Sequence, residues 1–200
     1  MLKKGQKPIL IANILYLAVA TIYFIFNKNY EFLIYVGVIT LVLALILSTN
    51  HKINYPNPLL WGMTFWGLLH MLGGSVYIGG TRLYDLMLVP LTQEIFRYDQ
   101  FVHILGFAVA TLVMYYLLKP SLNNEKRLIS LSIVIIMAGL GTGAVNEIIE
   151  FGSFILFEDN GVGGYVNTSL DLVADLIGAI IAMAYILKKE LLHKREVKVQ

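Results

Sequence analysis

The chain has 200 residues, 58% of them hydrophobic and 14% charged, with a mean hydropathy of +0.72 and a net charge of +2. Soluble domains carry about 25% charged residues, so an ordinary water-soluble globule is excluded. The absence of cysteine excludes disulfides, zinc–thiolate sites and cysteine nucleophiles.

Lys3, Lys4 and Lys7 precede the first apolar run, as in a secretory leader. That run continues to Phe26, and "NKNYEF" follows it instead of a small-residue cleavage site, so it reads as a retained helix. A bilayer core takes about 20 apolar residues in helix, and six segments reach that scale: 8–26, 32–48, 58–78, 101–119, 128–157 and 170–192. None alternates with the period of a strand, and runs this long select helices rather than a barrel. The expected fold is all-α, a polytopic bundle of six transmembrane helices forming one integral membrane domain over residues 1–200. The fifth segment is longer than a bilayer needs, and its outer end is expected to project past the lipid or break near Gly152.

Lys and Arg set orientation. With a cytoplasmic N-terminus, twelve of the 15 basic residues fall inside, and Lys28, Arg82 and Arg97 fall outside. Both termini are then cytoplasmic and the chain belongs in the cell (plasma) membrane, with the lipid bilayer as its first partner. The basic C-terminal "KKELLHKREVKVQ" serves as a topology anchor; so short a tail does not suit nucleic acid. Two outer connections are long. Residues 79–100 are too apolar for a solvated loop and suit an interfacial or re-entrant segment. Residues 158–169 carry Asn-Gly and Gly-Gly turn signals and an Asn167-Thr168-Ser169 glycosylation sequon of a kind common by chance.

A charge inside a membrane helix costs about 2.5–3.5 kcal/mol on insertion scales, so an ionisable residue there is a functional hypothesis by default. The last four helices carry such residues: His70 on the third, Asp99 and His103 on the fourth, Glu147 and Glu150 on the fifth, Asp171 and Asp175 on the sixth. Spacings of three or four put each pair on one helix face. With the orientation above, all of them fall at similar depth on the outer side. Two have a bland explanation: Asp99 and Asp171 stand where a helix N-terminus favours an acid, Asp171 with Thr168 or Ser169 as N-cap. Asp175 and Glu147 lie deeper and lack it. His70 and His103 also suit neutral, backbone-bonded core histidines, and Gly139, Gly141 and Gly143 suit close helix packing.

Crowded carboxylates in low dielectric cannot all ionise. A divalent metal supplies the missing charge: zinc, manganese or iron if His and carboxylates bind together, magnesium if carboxylates dominate. His70, Asp99, His103, Asp171 and Asp175 are the candidate ligands. Glu147 and Glu150 are the candidate general bases, and Arg82 and Arg97 the candidate contacts to an anionic head group.

The order of these motifs resembles a known group. D-x-x-x-H opens one helix (Asp99, His103), E-x-x-E ends the next (Glu147, Glu150), and D-x-x-x-D precedes a glycine in the last (Asp171, Asp175, Gly178). Together they resemble the YjdF (DUF2238) and VanZ-like membrane proteins over roughly residues 65–180, and His70 with Gly73, Gly74 and Tyr77 looks like the YjdF side. Gln100 stands where the VanZ-like pattern has a basic residue, and Ile177 where it often has Asn. The resemblance implies a multi-pass membrane protein, and its VanZ-like side, linked to glycopeptide resistance, implies envelope chemistry. Three readings stand: a metal-dependent hydrolase or transferase acting on a lipid or lipid-linked envelope molecule, a proton- or cation-coupled transporter, and a non-catalytic membrane assembly partner.

Overall fold

The structure is a computed structural model that describes residues 3–89, 96–122, 128–157 and 164–199, with side chains up to residue 190. Lys126, Arg127 and the side chains of Lys194, Arg195 and Lys198, which contribute to the charge asymmetry, lie outside the described residues. Six α-helices follow in order: α1 Gln6–Phe26, α2 Tyr30–Ile53, α3 Asn57–Ser75, α4 Tyr98–Leu118, α5 Leu128–Leu156 and α6 Tyr165–Val199.

Their ends follow local chemistry. Asn29 caps α2 by accepting from Phe32 N at 3.1 Å, and Asn54 closes it in the left-handed conformation. Pro58 stands in the first turn of α3, where its missing N–H costs nothing. Gln100 folds back to accept from Arg97 N at 2.8 Å, fixing the start of α4. α5 runs unbroken through Gly152 for 29 residues, about 43 Å at helical rise, longer than the roughly 30 Å of a bilayer core. α6 starts at Tyr165, five residues before the expected start at 170.

Five helices (α1, α2, α4, α5 and α6) are long and apolar enough to cross a membrane. α3 is shorter, at 19 residues, and carries Asn57, Thr64 and His70. Its polar residues Thr64 and His70 and its glycines 67, 73 and 74 are buried, while Trp61, Phe65, Leu68 and Leu72 form an exposed apolar stripe. The exterior is oily elsewhere too, as at Ile129, Ile148, Phe151 and Ile155 on α5, which suits contact with lipid rather than water.

The bundle has two layers, α1–α3 and α4–α6, joined chiefly through α3 and α4. In lipid, close backbone approach replaces the hydrophobic drive of water. Gly178 of α6 lies on the α4 backbone, where a Cβ would meet Ile104 O and Ala108 N. Gly139 of α5 admits Thr111 of α4 and Ala179 of α6. These contacts fix which faces of α4, α5 and α6 point inward.

The connection from α3 to α4 is not a re-entrant helix among its described residues. Tyr77–Ile78 (β1) and Thr81–Arg82 (β2) form a two-residue hairpin turned by Gly79 (φ 59°) and Gly80 (φ 84°). Positive φ at both central residues is what a tight hairpin turn requires of glycine. A 3-10 turn, Leu83–Asp85, follows, and an antiparallel bridge between Met87 and Arg97 leads into α4. Tyr84 points from that turn into the bundle against Gly73 and His70.

Candidate functional site

The close α4–α6 contact brings Gln100 and His103 opposite Asp171 and Asp175. His103 is 3% exposed, and Asp171 and Asp175 are 0% exposed. His103 Nδ1 lies 2.9 Å from Asp175 Oδ1, and its Nε2 lies 3.6 Å from Asp99 Oδ1. Glu147 enters from α5, its Oε1 4.0 Å from His103 Nδ1. One imidazole is thus ringed by carboxylates from three helices.

Amides hold two of those carboxylates. Gln100 Nε2 donates to Asp171 Oδ1 at 2.7 Å, and its own Oε1 is committed to Arg97 N, which settles its orientation. Asn167 Nδ2 donates to Asp99 Oδ2 at 3.1 Å and to Asp171 Oδ2. Asn146 Nδ2 donates to Glu150 Oε1 at 2.8 Å. By contrast, among the described residues Glu147 meets only the Thr168 side chain as a donor, outside ordinary hydrogen-bond geometry, and Asp175 Oδ2 has no hydrogen-bond partner. That second oxygen occupies the space left by Gly143, where a Cβ would strike it.

Among the described residues, two sets of three groups have ligand atoms within 4.8 Å of one another: Asp99, His103 and Asp171, and His103, Glu147 and Glu150. Asp175 belongs to neither set, because its place is behind the imidazole. Asp171 is the seventh residue of α6, too far from the helix start for the N-cap and dipole explanation. Asp99 keeps that explanation, standing in the first turn of α4.

His70 sits apart from both sets. Its Nδ1 is hydrogen-bonded to the Tyr84 hydroxyl, and the rings of Phe32, Tyr35, Trp66 and Tyr84 surround it with centroids 5.1–5.9 Å away. Burial, then the negative charges of Asp99 and Glu150, hold the Tyr84 phenol protonated, well above its ordinary value. His70, Tyr84, Asp99, Glu150, Arg97 and Asn167 line one cavity of about 40 Å³, room for an ion and a few waters and too small for a lipid chain. Arg82 also reaches this cavity, but its Nε is 3.1 Å from Asp85 and its Nη1 3.8 Å from Glu31. Despite burial, those two acids keep its guanidinium pKa raised.

Sequence reasoning missed Gln100, Asn146, Asn167 and Tyr84. A clue existed for Asn167, which stands four residues before Asp171, the spacing at which helix residues meet. No curated protein and no solved structure matches the chain. The family described as predicted membrane protein (DUF2238) matches residues 8–190. With that match over most of its length and five apolar helices long enough to span a bilayer, the chain belongs to the DUF2238 family of multi-pass integral membrane proteins.

Proposed function

We propose that Asp99, His103 and Asp171 bind a divalent metal, and that the bound ion serves hydrolysis or group transfer on a lipid or lipid-linked envelope substrate. The observation that carries this reading is charge. Five carboxylates surround one imidazole, and among the described residues the second oxygen of the fully buried Asp175 has no hydrogen-bond partner. Such a group of anions needs a cation. The ligand atoms lie within 4.8 Å of one another, close to the roughly 4.2 Å that separates ligands across a metal.

The two nitrogens of His103 divide the roles. Nδ1 is committed to Asp175, which fixes the ring in the manner of an outer-shell carboxylate. Nε2 faces Asp99 and is the ligating atom. One nitrogen and two carboxylates suit zinc, manganese or iron better than magnesium. Glu147 is the base: it takes a proton from water, the water oxygen bonds to the substrate's carbonyl carbon or phosphorus, and the ester oxygen leaves with that proton. Glu150 and His70 line the entry, and Arg97 meets an anionic head group there more readily than Arg82, which Asp85 and Glu31 already engage. The VanZ-like order of motifs supports an envelope substrate. In this reading both termini lie on the cytoplasmic side of the plasma membrane, which the Lys and Arg asymmetry supports, and α3 is the sixth crossing, which its apolar outer stripe supports.

The test is metal content and turnover. Wild-type protein purified in detergent without chelator should carry stoichiometric metal, and Asp171→Asn should lose it. Glu147→Gln should keep the metal and lose turnover of an envelope-lipid extract. Metal-free wild-type protein would sink the reading. Metal with no turnover of any lipid would favour a structural clamp, and uptake of a cation or proton into proteoliposomes would favour transport.

A further inference from the structure

A second polar centre lies at the other end of α3 from His70. Gln6 and Asn13 of α1, Asn50 of α2 and Thr64 of α3 are all more than nine-tenths buried. Gln6 Oε1 accepts from Lys3 N at 2.9 Å and from Asn50 Nδ2 at 2.8 Å. Asn13 Nδ2 donates to Ile9 O at 2.8 Å and to Thr64 Oγ1 at 2.7 Å. These bonds settle which way both amides face. Among the described residues they leave Gln6 Nε2 without an acceptor and Asn13 Oδ1 without a donor.

Both amides border a cavity of about 40 Å³ whose remaining walls are aliphatic, among them Leu10, Leu43 and Leu47. Leu47 is 41% exposed, so the cavity's edge reaches the lipid-facing surface. Gln6 and Asn13 are seven residues apart, about 10 Å along the helix. One water cannot bridge them, and a water on either alone would lack the two to four polar partners that hold a buried water. Lys4, Lys7 and Lys52 stand exposed at the same end of the bundle.

We infer that this cavity takes the ester linkage of an anionic glycerophospholipid whose acyl chains lie outside it, along its lipid-facing edge at Leu47. The layering matches: lysines at the level of the phosphate, Gln6 at the first residue of α1 where ester groups lie, and leucines deeper, along the acyl chain. Gln6 Nε2 donates to an ester carbonyl, and the Lys4, Lys7 and Lys52 rim attracts the phosphate. This inference is independent of the metal reading, since no residue is shared.

The test uses the full chain in detergent, stripped of lipid and then offered phosphatidylglycerol or phosphatidylcholine. Retention by native mass spectrometry and the thermal midpoint are both read. Phosphatidylglycerol should be retained preferentially and should raise the midpoint by several degrees. Gln6→Glu keeps the acceptor oxygen for Lys3 and Asn50 but removes the donor, and should lose that retention. The triple variant Lys4→Gln/Lys7→Gln/Lys52→Gln changes only exposed groups and should lose the preference between the two lipids. Equal retention of both lipids by wild type, no retention of either, or an unchanged preference in the triple variant would overturn the inference.

Discussion

His103 has differently occupied ring nitrogens, and this makes single substitutions informative. Asp175→Asn retains the volume at α6 but weakens the acceptor for Nδ1 and frees the ring to turn. Loss of such an outer-shell partner typically lowers metal affinity roughly 10–100-fold. Competition with a chelator should show that drop with an unchanged helical circular dichroism spectrum. Tyr84→Phe removes the hydroxyl bonded to His70 while leaving the ring between Gly73 and Arg82. It should cost about 1 kcal/mol of stability, read from the thermal midpoint, and leave metal content unchanged, because His70 is outside both ligand sets. The ionisable residues were legible in the sequence because a charge in an apolar run is conspicuous. Gln100 was not, because an amide carries no charge and its place beside Asp171 depends on the rotation of two helices; Asn146 and Asn167 left only the faint clue of standing four residues before Glu150 and Asp171 on the same helices.

At the scale of the element, the α4–α6 contact sets the site. A Cβ at Gly178 would meet backbone atoms of α4, which cannot rotate away. Gly178→Ala should therefore separate the two helices and destabilise the fold by about 1–3 kcal/mol, as overpacking does, with loss of metal. Gly141 faces open space, so Gly141→Ala should be neutral or gain up to about 1 kcal/mol from helix propensity. Steric-trap unfolding in micelles measures both. The helix positions were readable from apolar runs alone, and their starts agree closely for the first five. The sixth began early because Tyr165, Val166 and Asn167 follow a glycine-rich stretch that reads as loop, and nothing local says that the turn ends before them. The Gly79-Gly80 pair was a hairpin signal, but the apolar character of the flanking residues favoured a membrane-embedded reading. Of those residues Tyr84 is buried in the end of the bundle, while Tyr77, Ile78, Leu88 and Val89 are exposed.

For the whole molecule, topology is the open variable that the chain makes easy to test. Because it has no cysteine, each introduced thiol is the sole target of a membrane-impermeant maleimide. Cysteines at positions 4 and 188 should label from one side of oriented vesicles and a cysteine at position 79 from the other. Labelling of 4 and 188 from opposite sides would mean that α3 does not cross. Composition alone identified the solvent as lipid, and the Lys and Arg asymmetry gave an orientation. The second polar centre among α1, α2 and α3 was invisible, since Gln6, Asn13, Asn50 and Thr64 are scattered single polar residues until three helices bring them together.

Asn167 is the acceptor position of an Asn-Thr-Ser sequon, and the same Nδ2 donates to both Asp99 and Asp171. A glycan is attached through that nitrogen, which replaces one of its hydrogens and adds bulk in the space between α4 and α6. Sugar attachment and an assembled site therefore exclude each other. In a secretory-pathway expression host, the fraction that acquires an endoglycosidase-sensitive sugar at Asn167 would be the fraction that failed to close α6 onto α4 in time, which turns an accidental sequon into a built-in reporter of assembly.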